Sequence, residues 1–148
     1  MANLDAIFDG VIEESLVKPP LAVLKELAQG FEKRTAGLLV GEVTQDYWNS
    51  KFRLQFYIRV PSLNNYSYNV FGIEHDLSFY PLRIKPTNSD IFKASSKASL
   101  DVDENFEEYR YLDAKDQEEL EEILKTIFSS PEVKKVINGL LAQIKSTN

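Results

Sequence analysis

The chain contains no cysteine. That single absence excludes a disulfide framework, thiolate zinc sites and cysteine nucleophiles, and it fits a reducing compartment. His75 is the only histidine, so the usual zinc sites lack enough imidazoles. The six glycines are scattered, which leaves no phosphate-cradling loop, no dinucleotide fingerprint and no glycine-flanked serine elbow. No apolar run approaches the ~20 residues needed to cross a bilayer. Met1 to Asp5 lacks the basic start and apolar stretch of a signal peptide. A cytoplasmic protein that does not enter the membrane is the expectation.

What is present is an ordinary globular composition of 148 residues, 43% hydrophobic and 27% charged. A chain of this length buries about 70% of its unfolded surface, so one domain over 1–148 needs no metal or disulfide. The net charge of −6 works against non-specific attraction to nucleic acid. That charge is unevenly spread. Residues 101–122 hold eleven acids against Arg110 and Lys115, a local −9, and the remainder of the chain is +3.

Hydrophobic periodicity organises the chain. Leu4, Ile7, Phe8, Val11 and Ile12 recur at helical spacing and predict a helix over about 4–15. Its stripe would be buried by its own core or by another chain, and its own core is favoured. Pro19-Pro20 starts a second helix, with Val23, Leu24, Leu27, Ala28 and Phe31 facing inward. The period then becomes two. Strands are predicted at 37–45, 51–60, 66–74 and 78–85, the last marked by Pro81 as an edge or a bulge. In 51–60, Phe52, Leu54, Phe56, Ile58 and Val60 alternate with Lys51, Arg53, Gln55, Tyr57 and Arg59. One wet and one dry face mean an antiparallel sheet. Residues 86–112 read as loop with a short strand near 107–112, tethered by Phe92, Phe106, Tyr109 and Tyr111. Asp113 is placed as the cap of a helix carrying Leu120, Ile123, Leu124, Ile127 and Phe128. Ser130-Pro131 restarts the chain as a last helix. The fold class is α+β: an antiparallel sheet of about four strands over residues 37–85, with N-terminal and C-terminal helices on one face.

Each constellation that would carry chemistry is incomplete. Glu74 and Asp76 flank His75, but neighbours in a strand point to opposite faces, so His75 reads as a solvated turn residue. Asp101 to Asn105 begins like a calcium loop, yet Phe106 replaces the turn glycine and Leu112 replaces the closing glutamate. Arg53, Tyr57 and Arg59, with Arg83 and Lys85 if Leu82 and Ile84 point inward, make a basic-aromatic face. A single tyrosine beside arginines is a thin signal for nucleic acid.

The reading therefore leans away from an enzyme and toward a macromolecular interaction module of the adaptor, inhibitor or immunity type. Its partner would be another protein, met through the acidic surface at 101–122 and in particular Glu118, Glu119, Glu121 and Glu122. No metal or cofactor is expected. The alternative is a small-ligand-binding or enzymatic domain with an aromatic pocket between sheet and helices. Trp48, Tyr57, Tyr66, Tyr68 and His75 would form its wall, with Arg53 and Arg59 on the adjoining sheet face.

Overall fold

Strand propensity and alternation place one ten-residue strand at the centre of the sheet, and the rest of the chain is arranged around it. The computed structural model describes residues 3–88, 91, 98–102 and 108–147. In chain order these form a 3-10 turn (Leu4–Phe8), α1 (Pro20–Arg34), β1 (Val40–Trp48), β2 (Lys51–Val60), a second 3-10 turn (Pro61–Leu63) and β3 (Tyr66–His75). They continue with β4 (Leu82–Pro86), β5 (Ala98–Val102), β6 (Glu108–Ala114), α2 (Gln117–Ser129) and α3 (Pro131–Thr147). The six strands make one sheet in the order β1-β2-β3-β4-β6-β5, and every neighbouring pair is antiparallel.

The α+β class and the antiparallel sheet agree with the sequence reading. The strand count does not: β5 and β6 extend the sheet from about four strands to six. Pro81 lies just ahead of β4, after a turn in which Phe79 has φ +72°. That position resolves the expected strand at 78–85. β4 is interior, between β3 and β6, and it begins one residue after Pro81.

β2 fulfils its alternation. Leu54, Phe56, Ile58 and Val60 are wholly buried, while Lys51, Arg53, Gln55, Tyr57 and Arg59 are half-buried on the opposite face. Burying each such apolar side chain contributes about 1.5–3 kcal/mol. Phe56 stacks on Phe71 at 5.3 Å, and Phe128 of α2 meets both rings edge-on. Ile73, Leu82, Ile84, Leu112 and Ala114 continue this surface across β3, β4 and β6, under Leu120, Ile127, Val133 and Ile144 of the C-terminal helices.

Two local devices shape the β1–β3 region. A bulge in β3 lets Val70 sit between the partners of Phe56 and Tyr57. Tyr66 and Tyr68 therefore share the inner face with Phe71, Ile73 and His75 despite their different parity. Gly41 lets α1 approach closely, because a Cβ there would lie 2.8 Å from the Cα of Ala28.

The helix caps are specific. Asp116, not Asp113, caps α2: its Oδ1 accepts from the Glu119 N–H at 2.9 Å. Asp113 is instead part of β6, opposite Arg83. Ser130 caps α3 as expected, accepting from the Val133 N–H at 3.4 Å.

Candidate functional site

The N-terminal segment departs most from expectation. Its helix stops at Phe8, and none of its residues is buried. Gly10 takes φ +75°, a left-handed bend that ends the helical run well short of residue 15. The seven large apolar side chains from Leu4 to Val17 are between 50% and 102% exposed. The stripe expected in the core is thus not in it. Acids are interleaved at Asp5, Asp9, Glu13 and Glu14, and no base occurs before Lys18. The Lys18 Nζ then donates to Glu26 of α1 at 2.7 Å, where the chain joins the body.

The residues expected to line an aromatic pocket fall on two faces. Trp48, Arg53, Tyr57 and Arg59 lie on the outer face, whereas Tyr66, Tyr68 and His75 pair with Val60, Ile58 and Phe52 on the inner one. Tyr66 and Tyr68 line a 320 Å³ groove along Val136 and Leu140 of α3. A 490 Å³ cavity between Ile91 and the α2–α3 turn is lined by none of the seven.

Arg83 and Lys85 share the outer face with Arg53, since Leu82 and Ile84 point inward. These cations have local partners. Asp46, Arg53, Glu74, Arg83 and Asp113 stand opposite one another in succession across five strands, an alternating row of charge. Arg53 grips Asp46 with two bonds of 3.0 and 3.3 Å and lies over the Trp48 ring. Arg59 pairs with Glu42 at 3.2 Å, and the Arg83 guanidinium covers Tyr111 at 4.3 Å. Between these rows Asn69 donates to Gln55 and Thr87 donates to Asn69. A face so internally compensated offers a polyanion little net charge.

His75 is buried, not solvated. It occupies the inner face at the end of β3, stacked on Phe52 at 5.3 Å with Phe79 edge-on. Its Nδ1 lies 2.7 Å from the Asp76 carbonyl oxygen. A carbonyl only accepts, so Nδ1 carries the proton, and Nε2 has no partner among the described residues. Glu74 points to the outer face, as strand geometry requires.

Among the acids of 101–122, residues 103–107 lie outside the described residues, as do the Phe106 tether and most of the calcium-like run. The tether at Phe92 does too, and nothing is described of the Tyr109 side chain. Tyr111 is buried as expected. Glu118, Glu121 and Glu122 are exposed on α2. Glu119 serves the helix itself, because its N–H donates to the Asp116 cap and its Oε1 accepts from the Lys115 N–H at 3.1 Å, just ahead of that cap. Tyr80 lies nearby. Burial raises its pKa above 10.0, with Glu121 and then Asp116 adding to the shift, and its buried hydroxyl has no partner among the described residues.

No protein-family model, curated protein or solved structure matches the chain. The site is therefore read from its geometry. Among the described residues no helix is long and apolar enough to cross a membrane, and no three His, Asp or Glu side chains cluster as metal ligands would.

Proposed function

We propose that this chain is a non-enzymatic protein-interaction module whose docking element is the N-terminal segment, residues 4–17. The observation that carries this is the exposure of all seven large apolar side chains in that stretch. Burying them is worth on the order of 10 kcal/mol, none of which the chain gains by itself. Apolar surface concentrated in this way marks a contact site. Four acids and no base within it suit a partner groove that is apolar at its floor and basic at its rim. Helical spacing of Leu4, Ile7, Phe8, Val11 and Ile12 supports a segment that completes its helix when the groove covers it. Exposed Glu118, Glu121 and Glu122 add a negative field that would steer the same kind of partner.

The test is recovery of partners from native extract with the intact chain and with an Ile7→Ser, Phe8→Ser, Val11→Ser variant. The expected result is loss of a specific protein with an unchanged melting temperature, because these side chains support no core. Identical recovery by both would remove the segment from consideration. Changing Glu118, Glu121 and Glu122 to glutamine is expected to slow association and reduce its salt dependence.

A further inference from the structure

One outer edge of the sheet carries a separate inference. β1 is an outermost strand of nine residues, paired without interruption to β2 from Val40–Arg59 to Trp48–Lys51. It contains no proline, no lysine and no bulge, three of the devices by which edge strands avoid further pairing, and its two acids Glu42 and Asp46 are drawn to Arg59 and Arg53 of β2. Every residue from Thr44 to Trp48 is exposed, and Tyr47 and Trp48 are 65% and 59% exposed. We propose that β1 pairs antiparallel with β1 of a second copy, joining two sheets into one about a two-fold axis at Gln45.

The hydrogen-bond phase restricts this pairing. Asn49 and Ser50 both have positive φ, a two-residue turn that makes Trp48 and Lys51 a hydrogen-bonded pair. Alternation along the ladder then turns Val40, Glu42, Thr44, Asp46 and Trp48 toward β2, and the backbone groups of Gly41, Val43, Gln45 and Tyr47 outward. Outward groups can bond only outward groups, so the two-fold must keep outer face with outer face.

Every residue-centred axis satisfies that condition, and the four from Val43 to Asp46 lie in the middle of the strand. A two-fold at Val43 sets Tyr47 against Leu39, whose N–H and carbonyl are both already bonded to the Thr35 hydroxyl. At Thr44 it sets Glu42 against Asp46 of the second copy, and at Asp46 it sets that acid against itself. The axis at Gln45 avoids all three conflicts. It places Val43 opposite Tyr47 twice and Thr44 opposite Asp46 twice, with Glu42 facing Trp48. Aromatic against β-branched is a favourable cross-strand pair, and both exposed aromatics become covered. Contact through one strand lies at the small end of specific interfaces, so association is expected to depend on concentration.

The experiment exploits the missing cysteines. Gln45→Cys would bring two thiols together on the axis, with Cα atoms about 5.5 Å apart across a hydrogen-bonded pair, inside the roughly 4.4–6.8 Å that a disulfide spans. Thr44→Cys stands two residues out of register with its own copy. Under mild oxidation the first is expected to give a covalent dimer several-fold more than the second. By sedimentation, the unmodified chain is expected to shift from monomer to dimer as concentration rises. Gln45→Pro removes only an outward N–H and is expected to abolish the dimer while retaining the fold by circular dichroism. A chain that stays monomeric at every concentration would overturn the proposal. So would a dimer that survives Gln45→Pro, or equal cross-linking at positions 44 and 45.

Discussion

Two glycines give one chemical change opposite consequences. Gly41 sits in β1 where α1 crosses it, and an added Cβ would meet the Ala28 Cα and Cβ at 2.8 Å and the Phe56 ring at 3.0 Å. Ordinary carbon–carbon contacts sit near 3.5–4.0 Å. The ring tip can turn aside, but the Ala28 backbone belongs to a fifteen-residue helix and must retreat as a unit. Forcing a methyl into such a contact costs about 1–3 kcal/mol. Gly30 lies in that same helix with nothing within 4 Å of its would-be Cβ, so alanine there gains about 0.5–1 kcal/mol of helix propensity. For a chain of this size each kcal/mol moves the melting temperature by roughly 2–4 °C. Thermal melts of Gly41→Ala and Gly30→Ala are therefore expected to shift in opposite directions, the first downward by the larger amount. A Gly41→Ala protein melting at or above the unmodified chain would refute the close packing of α1 on β1.

Further outcomes follow from the cap at the start of α2 and from Tyr80 beside it. Tyr80→Phe removes a buried hydroxyl that has no partner among the described residues, and is expected to leave stability unchanged or raise it by about 1 kcal/mol. The raised native pKa means that above pH 10 the unfolded chain releases this proton first. Its contribution to stability is thus constant below pH 10 and falls as pH rises from there toward the native value. Urea midpoints between pH 9 and 11 are expected to drop less steeply for the variant; parallel slopes would refute the assignment. Asp116→Ala removes the α2 cap and is expected to cost about 1 kcal/mol, whereas Asp113→Ala, at the position that sequence alone favours as the cap, is expected to leave helix fraying by hydrogen exchange unchanged.

Elements whose signal is local were legible in the sequence. Five strict alternations define β2, Pro20 and Pro131 each open a helix, and both features reside in the residues themselves. β5 is different: Ala98 to Val102 carries little strand propensity and is a strand because β6 offers it a ladder. β1 runs three residues beyond its expected end because the Asn49-Ser50 turn is a tight two-residue hairpin, which keeps polar Gln45 and Asp46 in register. His75 follows the parity of Phe71 and Ile73, but the bulge at Val70 hides that parity from a count started at Tyr66. For the N-terminal stripe, periodicity reveals an amphipathic segment and is silent on what covers it. The edge position of β1 was invisible for a related reason, since an edge is a property of strand order and not of any strand.

Strand order also sets a timetable. β6 inserts between β4 and β5 and leads within three residues into α2, so closing the sheet and seating the C-terminal helices form one event. During synthesis, β1 to β4 and α1 emerge while Phe56, Phe71, Leu82 and Ile84 still lack the cover of Leu120, Ile127, Val133 and Ile144. A nascent chain that has reached only Pro86 presents a hydrophobic sheet face and an unpaired interior strand to its surroundings, the exposure that recruits chaperones and seeds aggregation. The last sixty or so residues act as the lid that ends this interval, and slow or interrupted translation there is when this protein is most vulnerable.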